Sequence, residues 1–284
     1  MRRLRMLRIF LAAFFMMAVT ACFVDFTGMS VQWLGWTVKL QFMPAVLALN
    51  FAAVAVVVLT LLFGRVYCSV VCPLGILQDI AIFLRRTVGR LVPGRRAAFG
   101  KTAPAVNARR PVPVRAVRWA VATAFFAGGF LGIHFTWLEP YAIYGRMASS
   151  LVAPLVRGGN NQLALWAEQH GSHVLQTVEV IAPPLCMVVL SAAMLVIVLS
   201  LAVWKGRLWC NAICPVGTVL GVLARFSLLK PKIDSAKCVK CRLCEKACKA
   251  HCIDVESGAI DRSACVACFD CGAVCGKGAL TWSK

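Results

Sequence analysis

The sequence predicts an all-α membrane domain of four transmembrane helices, built as two parallel repeats, followed by a small α+β domain. Three observations predict it. Of 284 residues, 60% are hydrophobic and 15% charged, with a mean hydropathy of +0.78, whereas a globular domain carries roughly 25% charged residues. A twelve-residue motif with two cysteines and a proline occurs twice, and 9 of the 15 cysteines fall within residues 238–275. The chain therefore divides into a membrane domain, 1–231, and a cysteine-rich domain, 232–284. Disorder, a basic nucleic-acid-binding globule and a small secreted disulfide scaffold are excluded, so no nucleic-acid partner is expected.

Four stretches are long and apolar enough to cross about 30 Å of hydrocarbon at about 1.5 Å per residue. They are Leu7–Asp25, Met43–Gly64, Val117–Leu138 and Val180–Trp204. Pro183 and Pro184 sit near the start of the fourth, where a missing N–H costs least.

Orientation follows from the basic residues, since cytoplasmic loops are rich in Lys and Arg. Arg2, Arg3, Arg5 and Arg8 precede the first span, and the loop after it has only Lys39. Eleven basic residues lie from Arg65 to Arg118, and the third loop has only Arg146 and Arg157. Lys205, Arg207 and Arg225 follow the fourth span. Both termini and the middle loop are expected on the cytoplasmic side of a bacterial inner membrane. A competing reading of the first span is a lipoprotein signal ending at Cys22; the repeat, which needs two spans per half, favours a retained helix.

Gly64-Arg-Val-Tyr-Cys-Ser-Val-Val-Cys-Pro-Leu-Gly75 matches Gly206-Arg-Leu-Trp-Cys-Asn-Ala-Ile-Cys-Pro-Val-Gly217 at six of twelve positions. Each copy follows an even-numbered span and precedes an amphipathic stretch, Ile76–Arg86 or Thr218–Leu229, suited to lie along the interface. Both halves start and end inside, so the repeat is parallel, about an axis normal to the membrane. That axis brings Cys68, Cys72, Cys210 and Cys214 together on the cytoplasmic side. Cytoplasmic thiols are kept reduced, and four thiolates suit a metal ion or a further iron–sulfur cluster. Pro73 and Pro215 would start helices there, turning free N–H groups toward an anionic centre. The competing reading is four small packing residues at helix ends.

In the tail, Cys238-x2-Cys241-x2-Cys244-x3-Cys248 is followed by Cys265-x2-Cys268-x2-Cys271-x3-Cys275. This is the spacing of a two-cluster bacterial ferredoxin, in which the fourth cysteine of each run ligates the other cluster. Cys238, Cys241, Cys244 and Cys275 are expected to hold one [4Fe–4S] cluster, and Cys265, Cys268, Cys271 and Cys248 the second. Three closely spaced cysteines wrap three irons, and the fourth iron needs a thiolate from outside the loop. A zinc ribbon would show separated pairs instead. Lys249 and Gly276 stand where proline usually follows the fourth cysteine, and a ninth cysteine, Cys252, reads as a small buried residue. A domain of roughly 50 residues takes much of its folding energy from its clusters. It has no substrate pocket in its sequence and reads as an electron wire. Lys237, Lys240, Lys246 and Lys249 form a solvated face or dock an acidic partner.

These features resemble the NapH-type ferredoxin-like membrane proteins, with four spans, two Cys-x3-Cys-Pro motifs and a cytoplasmic pair of [4Fe–4S] motifs. Tyr67-Cys-Ser-Val-Val-Cys-Pro-Leu74, Ile213-Cys-Pro-Val-Gly217 and Glu139-Pro-Tyr-Ala-Ile-Tyr-Gly-Arg146 carry the resemblance. It implies a quinol dehydrogenase component that passes electrons from membrane quinol toward a periplasmic reductase such as nitrate reductase, with a second iron–sulfur subunit or cytochrome as partner. The related NosR and CcoG types imply the alternative, a metal-reducing or assembly factor for a respiratory metalloenzyme. The missing prolines are a departure from the nitrate branch.

Quinol oxidation needs a proton acceptor near an apolar slot. Ionisable residues near spans are the candidates: His134 in the third span and Asp79 on the first interfacial helix. The alternative for each is a satisfied interfacial or solvated side chain. His134, Asp25, Glu179 and the loop histidines His170 and His173 fall on the outer side, across the membrane from the cysteine motifs. A transporter is disfavoured, because the spans lack paired charges and glycine-broken midplane helices.

Overall fold

The computed structural model describes residues 1–47, 50–91, 112–130, 138–171 and 176–283. Among the described residues two helices are long and apolar enough to cross a membrane: α1 (Arg2–Val24), 23 residues, and α10 (Leu185–Lys205), 21 residues. At about 1.5 Å per residue each exceeds 30 Å. Both leave large apolar side chains outward, such as Phe10 on α1 and Val196 on α10, a surface that lipid rather than water would cover.

The other two expected spans differ. Met43–Gly64 is not one helix: α3 (Phe42–Leu47) and α4 (Phe51–Phe63) flank an interruption, and α4 has only 13 residues. Asn50 stands extended before α4, its N–H bonded to the Ala45 carbonyl at 2.9 Å. Asparagine competes for backbone groups and favours such helix starts over helix interiors. The third helix, α7 (Val112–Phe130), begins five residues before the expected Val117, and His134 lies outside the described residues. Four unbroken spans are therefore not established, although the chain is predominantly helical as expected.

Between α1 and α3, α2 (Met29–Lys39) returns along α1. Asp25 makes that turn, its carboxylate accepting from the N–H groups of Thr27, Gly28 and Val31 at 2.8–3.1 Å. Each motif then opens a helix: α5 (Tyr67–Val70) leads into α6 (Pro73–Leu91), and a π-turn, Trp209–Ile213, leads into α11 (Pro215–Leu223). Proline at the first helical position lacks only an N–H that would have gone unpaired.

The expected outer loop holds an unforeseen element. Its first helix, α8 (Pro140–Met147), packs against α6 and α10. Ile143 and Met147 join the core that contains Cys68, Cys72 and Cys214. Gly145 permits the approach to α1: a Cβ there would fall 2.5 Å from the Phe23 ring. A π-turn, Ala148–Val152, then leads into α9 (Ala153–Gln169).

In the tail, β1 (Lys230–Ile233) pairs antiparallel with β4 (Leu280–Ser283), and β2 (Ile253–Asp254) with β3 (Ala259–Ile260). Short helices α12 (Leu243–Ala247) and α13 (Asp270–Val274) complete two copies of a strand–helix–strand unit. Just before β1, the N–H groups of Leu228 and Leu229 bond the carbonyls of Leu61 and Leu62 at 2.8 and 2.9 Å. They satisfy acceptors that the C-terminal end of α4 leaves open.

Candidate iron–sulfur site

Both tail runs fold alike. Lys240 and Arg242 in the first, and Ala267 and Phe269 in the second, have positive φ of 49–60°. The third such pair is His251 and Gly278. Non-glycine residues resist this conformation by roughly 1–2 kcal/mol each, so its recurrence in both copies marks a shared demand. Alternating right- and left-handed residues turn successive N–H groups into one concavity, the anion-binding nest found at many iron–sulfur sites. That backbone suits an anionic thiolate cluster.

Two cavities divide most of the tail cysteines between them. Cys238, Cys241, Cys244 and Cys275 line one cavity of about 320 Å³. Cys248, Cys265, Cys268 and Cys271 line a second, smaller one. Cys252 lines it too, its Sγ 3.5 Å from that of Cys248. Cys248 titrates below its ordinary range, chiefly because the Cys252 thiol bonds to it, with backbone N–H groups adding to the effect. Burial pushes Cys268 up to about 12. Among the described residues no three His, Cys, Asp or Glu side chains close tightly enough to enclose an ion.

The repeat motifs are buried. Cys68, Cys72, Cys210 and Cys214 are each 4% exposed. Burial raises the Cys68 thiol to about 11 and raises Cys72 and Cys214 as well, and each of these three is raised further by neighbouring thiols of the set. Cys214 Sγ accepts from Gly217 N–H at 3.3 Å, and Gln78 Nε2 donates to Cys210 Sγ at 3.2 Å. Gly75 and Gly217 make the tight turns possible, because a Cβ at either would fall 2.2 Å from the carbonyl oxygen of Cys68 or Cys210.

The two thiol groups adjoin. Cys268 and Val266 of the tail pack in one core with Cys68, Cys72 and Cys214. Asp79, the candidate base on α6, lies beside this contact, 8% exposed. Its carboxylate meets Arg8 and Arg207 at 2.8 Å and Lys249 at 3.3 Å. Although burial opposes its charge, these cations hold it well below the usual carboxylate range. Such a carboxylate is a structural anion and a poor base; its surroundings are neither solvated nor apolar. Lys249 continues to Asp270 at 3.1 Å, and Arg5 reaches Asp270 at 2.8 Å.

A sequence-family profile described as a 4Fe-4S binding domain matches residues 45–90 and 187–234. The uncharacterized protein MJ0749 of Methanocaldococcus jannaschii is 48% identical over 75 residues, 26% of this chain and 30% of that protein. The uncharacterized MJ0750 of the same organism is 27% identical over 81% of this chain and 76% of its own. The ferredoxin-type protein NapH of Escherichia coli K12 is 26% identical over 85% of this chain and 71% of its own. Over most of its length the chain is similar to NapH-type ferredoxin proteins. No solved structure matches it.

The two profile matches support two [4Fe–4S] clusters in this chain. They fall on the segments holding Cys68, Cys72, Cys210 and Cys214, while the tail cysteines begin beyond them at Cys238. An iron–sulfur electron-transfer protein is the reading common to the family description and the NapH relatives.

Sequence reasoning missed several buried charged residues around the thiols. Arg65 and Arg207 counted only toward the basic loops, yet both are fully buried; the signal was their identity in both repeat copies. Lys249 was noted as a missing proline and as part of a solvated or partner-docking face, not as a partner of Asp79. Glu139, 8% exposed, is raised by burial to about 7, and its Oε1 has no partner among the described residues. A lone carboxylate before proline gave no sign of this.

Proposed function

We propose that the chain is a membrane-bound electron-transfer component of a quinol dehydrogenase. In this reading Cys238, Cys241, Cys244 and Cys275 hold one [4Fe–4S] cluster, and Cys248, Cys265, Cys268 and Cys271 the second. Cys68, Cys72, Cys210 and Cys214 hold a third centre at the membrane face. Quinol gives up two electrons and two protons to become quinone, each cluster accepts one electron at a time, and electrons leave toward a periplasmic reductase such as nitrate reductase through a second iron–sulfur subunit or cytochrome. Both termini and the tail lie on the cytoplasmic side.

The observation that carries the reading is the shared core of Cys268 with Cys68, Cys72 and Cys214. A cluster on the second tail set would then lie against the repeat thiols, and electrons would need no hop across the membrane between them. An apolar groove of about 500 Å³ between α7 and α11 supports an inner quinol site. It is lined by Trp119, Ala122, Thr123, Thr218 and Val222, and Thr218 bonds the Cys214 carbonyl through both N–H and hydroxyl at 3.0 and 3.1 Å.

The test is anaerobic purification of the full chain, followed by iron and sulfide analysis and addition of a short-chain quinol. Brown protein whose visible absorbance bleaches with quinol supports the reading. Iron-loaded protein that no quinol reduces removes the quinol step, and iron-free protein removes the whole account.

A further inference from the structure

Each repeat carries Gly-Arg just before its tyrosine or tryptophan pair with cysteine, and these arginines are the largest completely buried side chains described. A buried guanidinium costs several kcal/mol unless an anion answers it. Arg207 has Asp79, hydrogen-bonded through Nε at 2.9 Å and ion-paired at 2.8 Å from Nη2. Arg65 has three neutral oxygens: the Cys265 carbonyl at 3.3 Å, the Gly217 carbonyl at 3.1 Å and Asn211 Oδ1 at 2.5 Å. Among the described residues no carboxylate pairs with it.

The arginines also cross between parts. Arg65, from the first repeat, grips the second motif at Gly217 and Asn211 and the tail at Cys265. Arg207, from the second repeat, grips the first motif through the Cys68 carbonyl at 2.6 Å, and its N–H bonds the Lys249 carbonyl of the tail at 3.0 Å. Both guanidiniums thus lie where the repeat thiols meet the second tail set. A cubane held by four thiolates is a net anion whose negative charge grows by one on reduction. Such a centre supplies the countercharge that Arg65 lacks.

We propose that Arg65 and Arg207 are the positioning residues of an electron-transfer junction: they clamp the second tail cluster to the repeat thiols and raise its reduction potential by their charge. This rests on the assignment of Cys248, Cys265, Cys268 and Cys271 to that cluster. When one electron passes between the two centres, one negative charge moves across the junction, and no bond or proton changes. The first tail cluster lies in the cavity that contains the exposed Cys241, outside the junction, and serves as an internal control.

The test is a redox titration of the anaerobic full-length protein, followed by EPR, for the wild type and for Arg65→Gln, Arg207→Gln and Arg65→Lys. In either Gln variant the reduced-to-oxidised ratio of the second cluster at fixed potential should fall at least tenfold, which is 59 mV for a one-electron couple. The first cluster should stay where it was, and Arg65→Lys should restore most of the shift. If Arg207→Gln does not accumulate, Arg65→Gln carries the test, because its partners are neutral and none is stranded as an anion. An iron-loaded variant with an unmoved second cluster, equal shifts in both clusters, or Arg65→Lys behaving like Arg65→Gln overturns the proposal. An iron-free wild type instead overturns the cluster assignment on which it rests.

Discussion

Lys249 Nζ stands 3.3 Å from the Asp79 carboxylate, so the residue after the fourth cysteine of the first tail run is ion-paired to α6. Its carbonyl also accepts from Arg207 N–H, and a Cβ on Gly206 would fall 2.2 Å from that carbonyl. The tail is therefore docked through its own cluster loop. Where related runs carry proline, this chain carries a tether.

Replacing Lys249 with Met should loosen the tail without emptying it. Asp270 keeps Arg5, and Asp79 keeps Arg8 and Arg207, so no acid is stranded. The loss should be about 1–3 kcal/mol of docking, seen as faster hydrogen exchange at residues 228–233 with unchanged iron. Unchanged exchange there would show that the tether does not hold the tail.

Asp79→Asn should be the costlier change, about 3–5 kcal/mol, because it leaves buried cations without their anion. The sign with pH follows from the lowered carboxyl. Its folded value lies below the unfolded one near 4, so its contribution is complete above that pH and is lost on acidification. The thermal midpoint of the wild type should fall below pH 4, and that part of the fall should be missing in the variant.

Glu139 behaves oppositely. Burial raises it to about 7 from 4.5, so the folded chain binds more protons than the unfolded chain between those values. Stability should fall as pH rises from 4.5 to 7, by roughly 3 kcal/mol at about 1.36 kcal/mol per unit. Glu139→Gln should remove this slope and make the protein more stable than wild type at pH 8. Melting curves from pH 4 to 8 decide it; parallel curves would mean the carboxyl is not buried.

Gly75→Ala and Gly217→Ala should each cost about 3 kcal/mol or more, since a methyl group would overlap a backbone oxygen. Gly158 on α9 has nothing within 4 Å of a Cβ, so Gly158→Ala should gain up to about 1 kcal/mol from helix propensity. Chemical denaturation of the three variants gives the comparison. Equal midpoints would refute the close approach at the motif turns.

Iron content tests the repeat thiols. With three cubanes the chain holds about twelve irons, and Cys210→Ala should leave about eight, with the tail EPR signals intact. Eight irons in both proteins would confine the clusters to the tail.

The tail was legible in the sequence because its chemistry is local. Two runs at a fixed offset of 27 residues predicted two matched loops, and the structure repeats even their left-handed residues at Lys240 and Ala267. The Gly-Arg and Cys-x3-Cys-Pro copies predicted two halves, and Arg65 and Arg207 bond crosswise between those halves. The helices α1 and α10 were legible because length and hydropathy alone decide whether a helix reaches across lipid.

By itself, then, the amino-acid order determined the thiol runs, the doubled motif and two long apolar helices. Only the tertiary structure decided that α8 folds back onto the motif cysteines, that Asp79 is an anion held by three cations, and that two arginines are buried at the tail junction. The reason is distance along the chain. Arg8 finds Asp79 across 71 residues and Arg65 finds Cys265 across 200. Whether a charge faces water or a buried partner is set by which remote segment arrives beside it, and no local pattern encodes that.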